Sequence, residues 1–451
     1  MEDKITRRAF LKSAAAGAVA AGALSCGRAA AGSSGEGPGE METRVNHVSG
    51  DKVSLLGYGC MRWPMIKDAS GKDVIDQEKV NEMVDYAMAH GINYYDTSPA
   101  YLQGQSERAA GIALSRYPRE SYYIATKLSN FGNPSPEASI RMYRDSFGEL
   151  RTEYFDYYLL HAIGGGGREA FERRYVNNGI MEFLYAEKAA GRIRNLGFSF
   201  HGNKDSFDYF MSLHDNGTYH WDFCQIEMNY VDWTHADGKR NVNADYLYAE
   251  LVKRNIPIVV MEPLLGGRLA NVPANIATRL KTLEPDRSAA WWAFRFVGSW
   301  PGVLCILSGM TSMDPLKENV ETFGHFKPMD DKELALMEEM AVLMKEYPMV
   351  NCTSCKYCMP CPYGIDIPGI FHHYNRSVTD GTFVTDGSTE NYRKLRRAFL
   401  LGYDRAVPPE RQADHCISCG TCLSHCPQSI PIPGELARIN RYVEKLKQGK
   451  I

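Results

Sequence analysis

Eight times between Val48 and Met344, a short run of β-branched and aromatic residues is followed by a segment of helical period. The runs are SLLGYGCMR, NYYDT, YYIATK, FDYYLLH, IRNLGFSF, FCQIEMNY, IPIVVMEP and VLCILSGM. Each is short and apolar on both faces, the pattern of a strand buried in a parallel sheet. The segments between them keep the other period. In VNEMVDYAMAHG, Val80, Met83, Val84, Ala87 and Met88 recur at helical spacing and Gly91 closes the run. Eight such units over about 300 residues predict a closed (β/α)8 TIM barrel rather than an open doubly wound sheet. No GxGxxG follows the first strand, which also speaks against a Rossmann domain.

The 451 residues leave room for more than this barrel. A net charge of −3 excludes a general nucleic-acid binder, which needs a basic excess. Once the N-terminus is set aside, no apolar run approaches the ~20 residues of a spanning helix. That N-terminus reads TRRAFLKSAAAGAVAAGALSCGRAAAGSSGEGPG: Arg7 and Arg8 stand before Phe10, Leu11 and Lys12, and a weakly apolar Ala/Gly stretch follows. It reads as a twin-arginine export signal, so the protein is expected in the periplasm or anchored to a membrane. Two processing routes are compatible with the residues: a lipid anchor at Cys26, or cleavage near Ala31. The glycine- and serine-rich stretch beyond is a flexible linker. Residues 1–45 are therefore set apart from a barrel at 46–345 and a C-terminal domain at 346–451.

Chemistry in such a barrel belongs at the C-terminal ends of the strands. Asp96 ends the second strand and Tyr101 follows it; Lys127 ends the third, His161 the fourth and Ser199 the fifth, while Gln225 lies on the sixth. Each alone has a plain structural explanation, but the barrel brings these ends together. An ammonium beside a phenol is expected to lower the phenol's pKa. A carboxylate beside the ammonium holds it in place, and Tyr101 becomes a general acid toward a carbonyl oxygen. His161 donates a hydrogen bond to the same oxygen. The set contains no nucleophile and needs a reductant, which a nicotinamide supplies as hydride.

These residues resemble the aldo/keto reductases over roughly 300 positions, through GINYYDTSPAYLQGQSE, IATK, YLLHA, the serine of GFSFHG, QIEMNY, PLLGGRL and LSGMTSMDPLKENVETF. The resemblance implies a catalytic tetrad of Asp96, Tyr101, Lys127 and His161. It implies carboxamide contacts at Ser199 and Gln225, and phosphate and adenosine contacts at Leu264, Ser308, Gly309, Met310, Glu318 and Asn319. Phe200 replaces the usual asparagine and Met261 the usual stacking aromatic. Gly309 and Pro315 stand where basic residues grip the 2′-phosphate of NADPH, so the cofactor is NADP or NAD.

Eight of the twelve cysteines lie beyond the barrel. Cys352, Cys355, Cys358 and Cys361 precede Pro362; Cys416, Cys419, Cys422 and Cys426 precede Pro427. Zinc ribbons use two CxxC pairs rather than two sets of four. Two such runs ending in Cys-Pro are similar to bacterial two-cluster ferredoxins, and two [4Fe–4S] clusters are expected. In that pattern each Cys-Pro cysteine serves the other block's cluster. Cys426 then joins Cys352, Cys355 and Cys358, and Cys361 joins Cys416, Cys419 and Cys422. The domain is expected to be small and mostly helical, its tail helix GELARINRYVEKLKQGK packing on the barrel. The basic run Arg393, Lys394, Arg396 and Arg397 reads as a solvated face, or as a docking site for an acidic redox protein.

The combination resembles aldo/keto reductases with a C-terminal ferredoxin-like domain. It implies an oxidoreductase acting on a small carbonyl or alcohol, with the clusters relaying electrons to or from a redox partner. The alternative is a non-catalytic, nicotinamide-binding redox sensor or electron-transfer subunit. The glycine-rich stretch AIGGGGREAFERRYVNNG after His161 is expected to wall the pocket, either as a mobile lid or as a plain surface loop.

Overall fold

The computed structural model describes residues 39–236 and 241–451; the twin-arginine segment and Cys26 lie outside the described residues. Eight parallel strands close a barrel. They are β1 (Leu56–Gly59), β2 (Tyr94–Asp96), β3 (Tyr123–Leu128), β4 (Phe155–Ile163), β5 (Ile193–Phe200), β6 (Cys224–Glu227), β7 (Ile258–Met261) and β8 (Val303–Ser308). β8 pairs with β1 through Ile306–Leu56 and Ser308–Tyr58, which completes the ring. Every strand predicted from the sequence is present, several of them shorter. In the first, the backbone leaves the sheet at Gly59, and Cys60 lies buried in a 3-10 turn, Cys60–Arg62, rather than in the strand.

Alternation along the strands sorts their side chains. Tyr94, Ala125, Tyr157, Leu159, Phe223, Val259, Cys305 and Leu307 fill the barrel interior. Their neighbours Tyr95, Ile124, Tyr158, Leu160, Cys224, Ile258 and Ile306 face the surrounding helices. Two residues further along the inward rows stand Asp96, Lys127, His161 and Gln225, one step beyond Tyr94, Ala125, Leu159 and Phe223. The polar site is thus the top layer of the same register that builds the apolar core. The other end is closed by an antiparallel ribbon, Thr43–Val45 with Lys52–Ser54, whose Val53 enters the interior core.

The C-terminal domain has its own core. Helices Ile367–Thr379, Tyr392–Ala406 and Ile432–Gln448 bury Ile370, Phe371, Tyr374, Phe399, Tyr403, Leu436, Ile439 and Val443 against one another. The first begins where Asp366 accepts a hydrogen bond from Gly369 N, with Pro368 in the opening turn. The last ends on Gly449 in the left-handed region, φ 64°. This tail helix does not pack on the barrel as expected. Its apolar stripe Ile432, Leu436, Ile439, Val443 and Leu446 completes the C-terminal core. Arg396 turns inward to the carbonyl of Leu446, while Arg393, Lys394 and Arg397 are exposed. The chain enters this domain through Val350, whose N–H and C=O are both held by the Asn375 side chain, at 2.8 and 2.7 Å.

Candidate active site and cluster sites

Lys127 and Asp96 form a buried ion pair, Nζ to Oδ1 2.5 Å, and Lys127 also donates to the Thr97 carbonyl at 2.9 Å. Gln225 Nε2 donates to the second carboxylate oxygen of Asp96 at 3.2 Å. Burial pushes the Asp96 carboxyl up and the Lys127 ammonium down, and their mutual attraction opposes both shifts. Tyr101 opens the turn Tyr101–Gly104, its ring lying with the Lys127 ammonium 4.9 Å from its centroid. The ammonium's hydrogen bonds go to Asp96 and Thr97, and burial raises the Tyr101 pKa well above that of a free phenol. The expected lowering by Lys127 is therefore corrected. Desolvation first, then the charge of Asp96, raises the pKa, and the phenol keeps its proton.

His161 stands edge-on to Tyr101, ring centroids 5.8 Å apart. Burial first, then Lys127 and Arg174, holds its pKa well below the usual imidazole value, so the ring is neutral. Its Nδ1 lies 2.5 Å from Ser129 Oγ and 3.2 Å from Ser98 Oγ. The carbonyl of His161 accepts from Arg174 Nη2 at 2.8 Å. Arg174 comes from the glycine-rich insertion, which forms a helix, Gly167–Phe171, and a π turn, Glu172–Val176. That segment braces the end of β4 from the outside.

Ser199 Oγ accepts from Ala162 N at 2.8 Å, which leaves its O–H to donate. Gln225 donates through its amide nitrogen, which leaves its oxygen to accept. One free donor and one free acceptor are what a primary carboxamide requires. At the end of β8, Asn319 Nδ2 donates to Ser308 Oγ at 3.0 Å, and Met310 is buried with its carbonyl bonded to the Tyr58 hydroxyl. Helix Met313–Gly324 starts at Ser312 without a side-chain cap, so its first N–H groups suit a phosphate. Glu318 is exposed and bonded to Ser288, and Leu264 enters the turn Leu265–Gly267. Gly309 is overlaid by the Arg62 side chain.

The cysteine blocks lie in irregular backbone between the helices. Cys352 feels the charge of Cys426, and Cys355 and Cys358 feel those of both. Cys422 feels Cys416, Cys419 and Cys361. Cys358, Cys361, Cys416, Cys419 and Cys422 line one cavity of about 260 Å³. Among the described residues no three Cys, His, Asp or Glu side chains converge tightly enough for a single metal ion. Burial pushes the Cys355 thiol up to about 12, so a cluster bound there would have to supply the positive charge that deprotonates it.

Sequence reasoning missed three residues at this site. Ser98 and Ser129 carry no signal beyond lying one or two places past a strand-end residue. Tyr357 was visible only as a spacer in CKYCMP, yet its hydroxyl lies 3.2 Å from His161 Nε2.

Comparison with known proteins agrees with this fold. A family model described as the aldo/keto reductase family matches residues 55–342, and one described as a 4Fe-4S dicluster domain matches residues 351–430. The methylglyoxal reductase YeaE of Escherichia coli K12 is 28% identical over 311 residues, which is 68% of this chain and 96% of that protein. Probable aldo-keto reductase 1 of Glycine max is 32% identical over 124 residues, only 35% of its own length. The holo form of aldo-keto reductase AKR11C1 from Bacillus halodurans superposes with a TM-score of 0.52 at 23% identity, covering 67% of this chain and 96% of that one. An aldo-keto reductase from Klebsiella pneumoniae in complex with NADPH gives 0.52 at 20% identity, covering 67% and 95%.

Proposed function

Because the chain belongs to the aldo/keto reductase family, we propose that its barrel interconverts a small carbonyl compound and the matching alcohol. The carrying observation is that Asp96, Tyr101, Lys127 and His161 meet in one buried layer at the barrel mouth. A nicotinamide dinucleotide, NADP or NAD, supplies or removes hydride at the substrate carbon when bound. The free donor of Ser199 and free acceptor of Gln225 would hold its carboxamide. Ser308, Asn319 and the uncapped helix start near Ser312 would hold its phosphates.

The chain's own groups manage the oxygen. Tyr101, kept protonated by burial, passes its proton to the carbonyl oxygen as charge develops there. His161 Nε2–H orients that oxygen, its ring fixed from behind by Ser129 and Ser98. The Lys127 cation beside the Tyr101 ring stabilises the phenolate left after transfer. Asp96 keeps the lysine charged and immobile.

Two [4Fe–4S] clusters, held by Cys352, Cys355, Cys358 and Cys426 and by Cys416, Cys419, Cys422 and Cys361, would supply one-electron chemistry toward a redox protein. Export by the twin-arginine route would deliver the chain folded and loaded. The units would be residues 1–45, 46–345 and 346–451. The test is anaerobic purification with iron, sulfide and nicotinamide assays, followed by reduction of small aldehydes and ketones. Turnover that survives Tyr101→Phe would overturn the reading.

A further inference from the structure

The first cysteine block enters the barrel. Tyr357, between Cys355 and Cys358, places its hydroxyl 3.2 Å from His161 Nε2. Its ring lies 6.0 Å from the imidazole and 6.2 Å from Phe131, centroid to centroid. The contact does not depend on one rotamer, because the whole segment is docked from several strand ends. Arg62, just past β1, donates to the Thr353 carbonyl. Arg268, beyond β7, donates to Asn351 Oδ1 at 3.0 Å. Gln428, just past the second block, donates to Glu227 at the end of β6, so that block is held to the barrel as well. Gly266 lies so close to the segment that a Cβ there would stand 2.5 Å from Thr353 Cα, and its φ of +66° would strain any other residue.

The hydrogen-bond valence of His161 gives this contact its meaning. A neutral imidazole has one donor and one acceptor nitrogen. Nδ1 faces two serine hydroxyls that are themselves bonded at 2.8 Å. When Nδ1 accepts from Ser129, Nε2–H is the donor and the Tyr357 oxygen receives it. That is the hydrogen bond the mechanism reserves for the substrate oxygen, and one N–H cannot serve two acceptors well.

We propose that Tyr357 is an internal occupant of the barrel's oxygen-binding position, and that a carbonyl substrate binds by displacing it. This rests on the tetrad reading above. A phenol oxygen shares its lone pairs with the ring and is a weaker acceptor than a carbonyl oxygen, so an aldehyde or ketone wins the exchange. An alkyl chain with no acceptor does not. The ring is set by the loop that carries Cys355 and Cys358, so the C-terminal domain sets how hard the barrel is to open.

The test uses the full iron-loaded chain and cyclohexanone, which stays unhydrated in water. Binding, followed by ligand-observed NMR, should tighten about tenfold in Tyr357→Phe, which keeps the ring and removes the oxygen. Unchanged or weaker binding overturns the proposal, because the phenol would then be a bystander or a substrate contact. Iron content is measured alongside. Should the variant lose iron, hydrogen exchange on the wild-type chain decides. Saturating cyclohexanone should raise exchange in residues 351–358, and unchanged or reduced exchange overturns the proposal. Neither readout requires turnover, so a failure of the reductase reading, detected with Tyr101→Phe, is a separate result.

Discussion

Among single residues, Lys127 and Asp96 form the pair whose removal tells most. Neither side chain reaches solvent, and the two neutralise each other. Lys127→Met should cost ~3–5 kcal/mol by leaving a carboxylate alone in the barrel. Calorimetry should show the double variant Asp96→Asn/Lys127→Met recovering most of that stability without recovering turnover. Tyr101→Phe should lower kcat about 10²–10⁴-fold, the usual worth of a general acid, with little change in melting temperature. Glu107 lies outside the chemistry but titrates where it can be seen. It accepts from Thr126 and Ser146, and burial lifts its carboxyl to about 7 from 4.5. The folded state binds this proton more tightly than the unfolded chain, so the group contributes stability that is lost as pH rises from about 4.5 through 7. The loss amounts to about 3 kcal/mol. Glu107→Gln should flatten that part of the profile, and unfolding titrations of both proteins across pH 4 to 8 would show the difference.

At the scale of elements, the barrel was legible because short runs apolar on both faces alternate eight times with segments of helical period. Lys127 and His161 could be placed because they continue inward-facing rows two residues past Ala125 and Leu159. The limits of that reading are local. Gly59 turns the chain out of β1 early, which periodicity does not record. Tail-helix residues such as Ile439 and Val443 announce an apolar stripe but not its partner, and the stripe went to the C-terminal core. Tyr357 could not be found from pattern at all, since its contact with His161 joins positions 196 residues apart. Close approaches between elements are equally silent in sequence. Gly111, on helix Ser106–Leu114, lies against the backbone of Glu149 and Leu150 on helix Pro136–Leu150. Gly111→Ala should force these helices apart at about 1–3 kcal/mol. The loss would appear as a lower melting temperature with site chemistry intact.

Over the whole molecule, two cores of unequal size share one chain. The barrel core draws on residues from Met41 to Met344, whereas the C-terminal core is small and partly walled by Cys352, Cys358, Cys361, Cys416, Cys422 and Cys426. A domain of that size leans on its metal for stability. Removing iron with a chelator should therefore split the melting curve, the C-terminal helices unfolding first while the barrel persists. A single unchanged transition would show that the thiols are not structural ligands.

The Asn375 amide that grips Val350 on both sides acts as a one-residue strand partner at the point where the barrel hands over to the cysteine loops. Cutting it, as in Asn375→Ala, would loosen the joint at Val350 and leave Arg62, Arg268 and the close approach of Gly266 to hold the Tyr357 loop on the barrel.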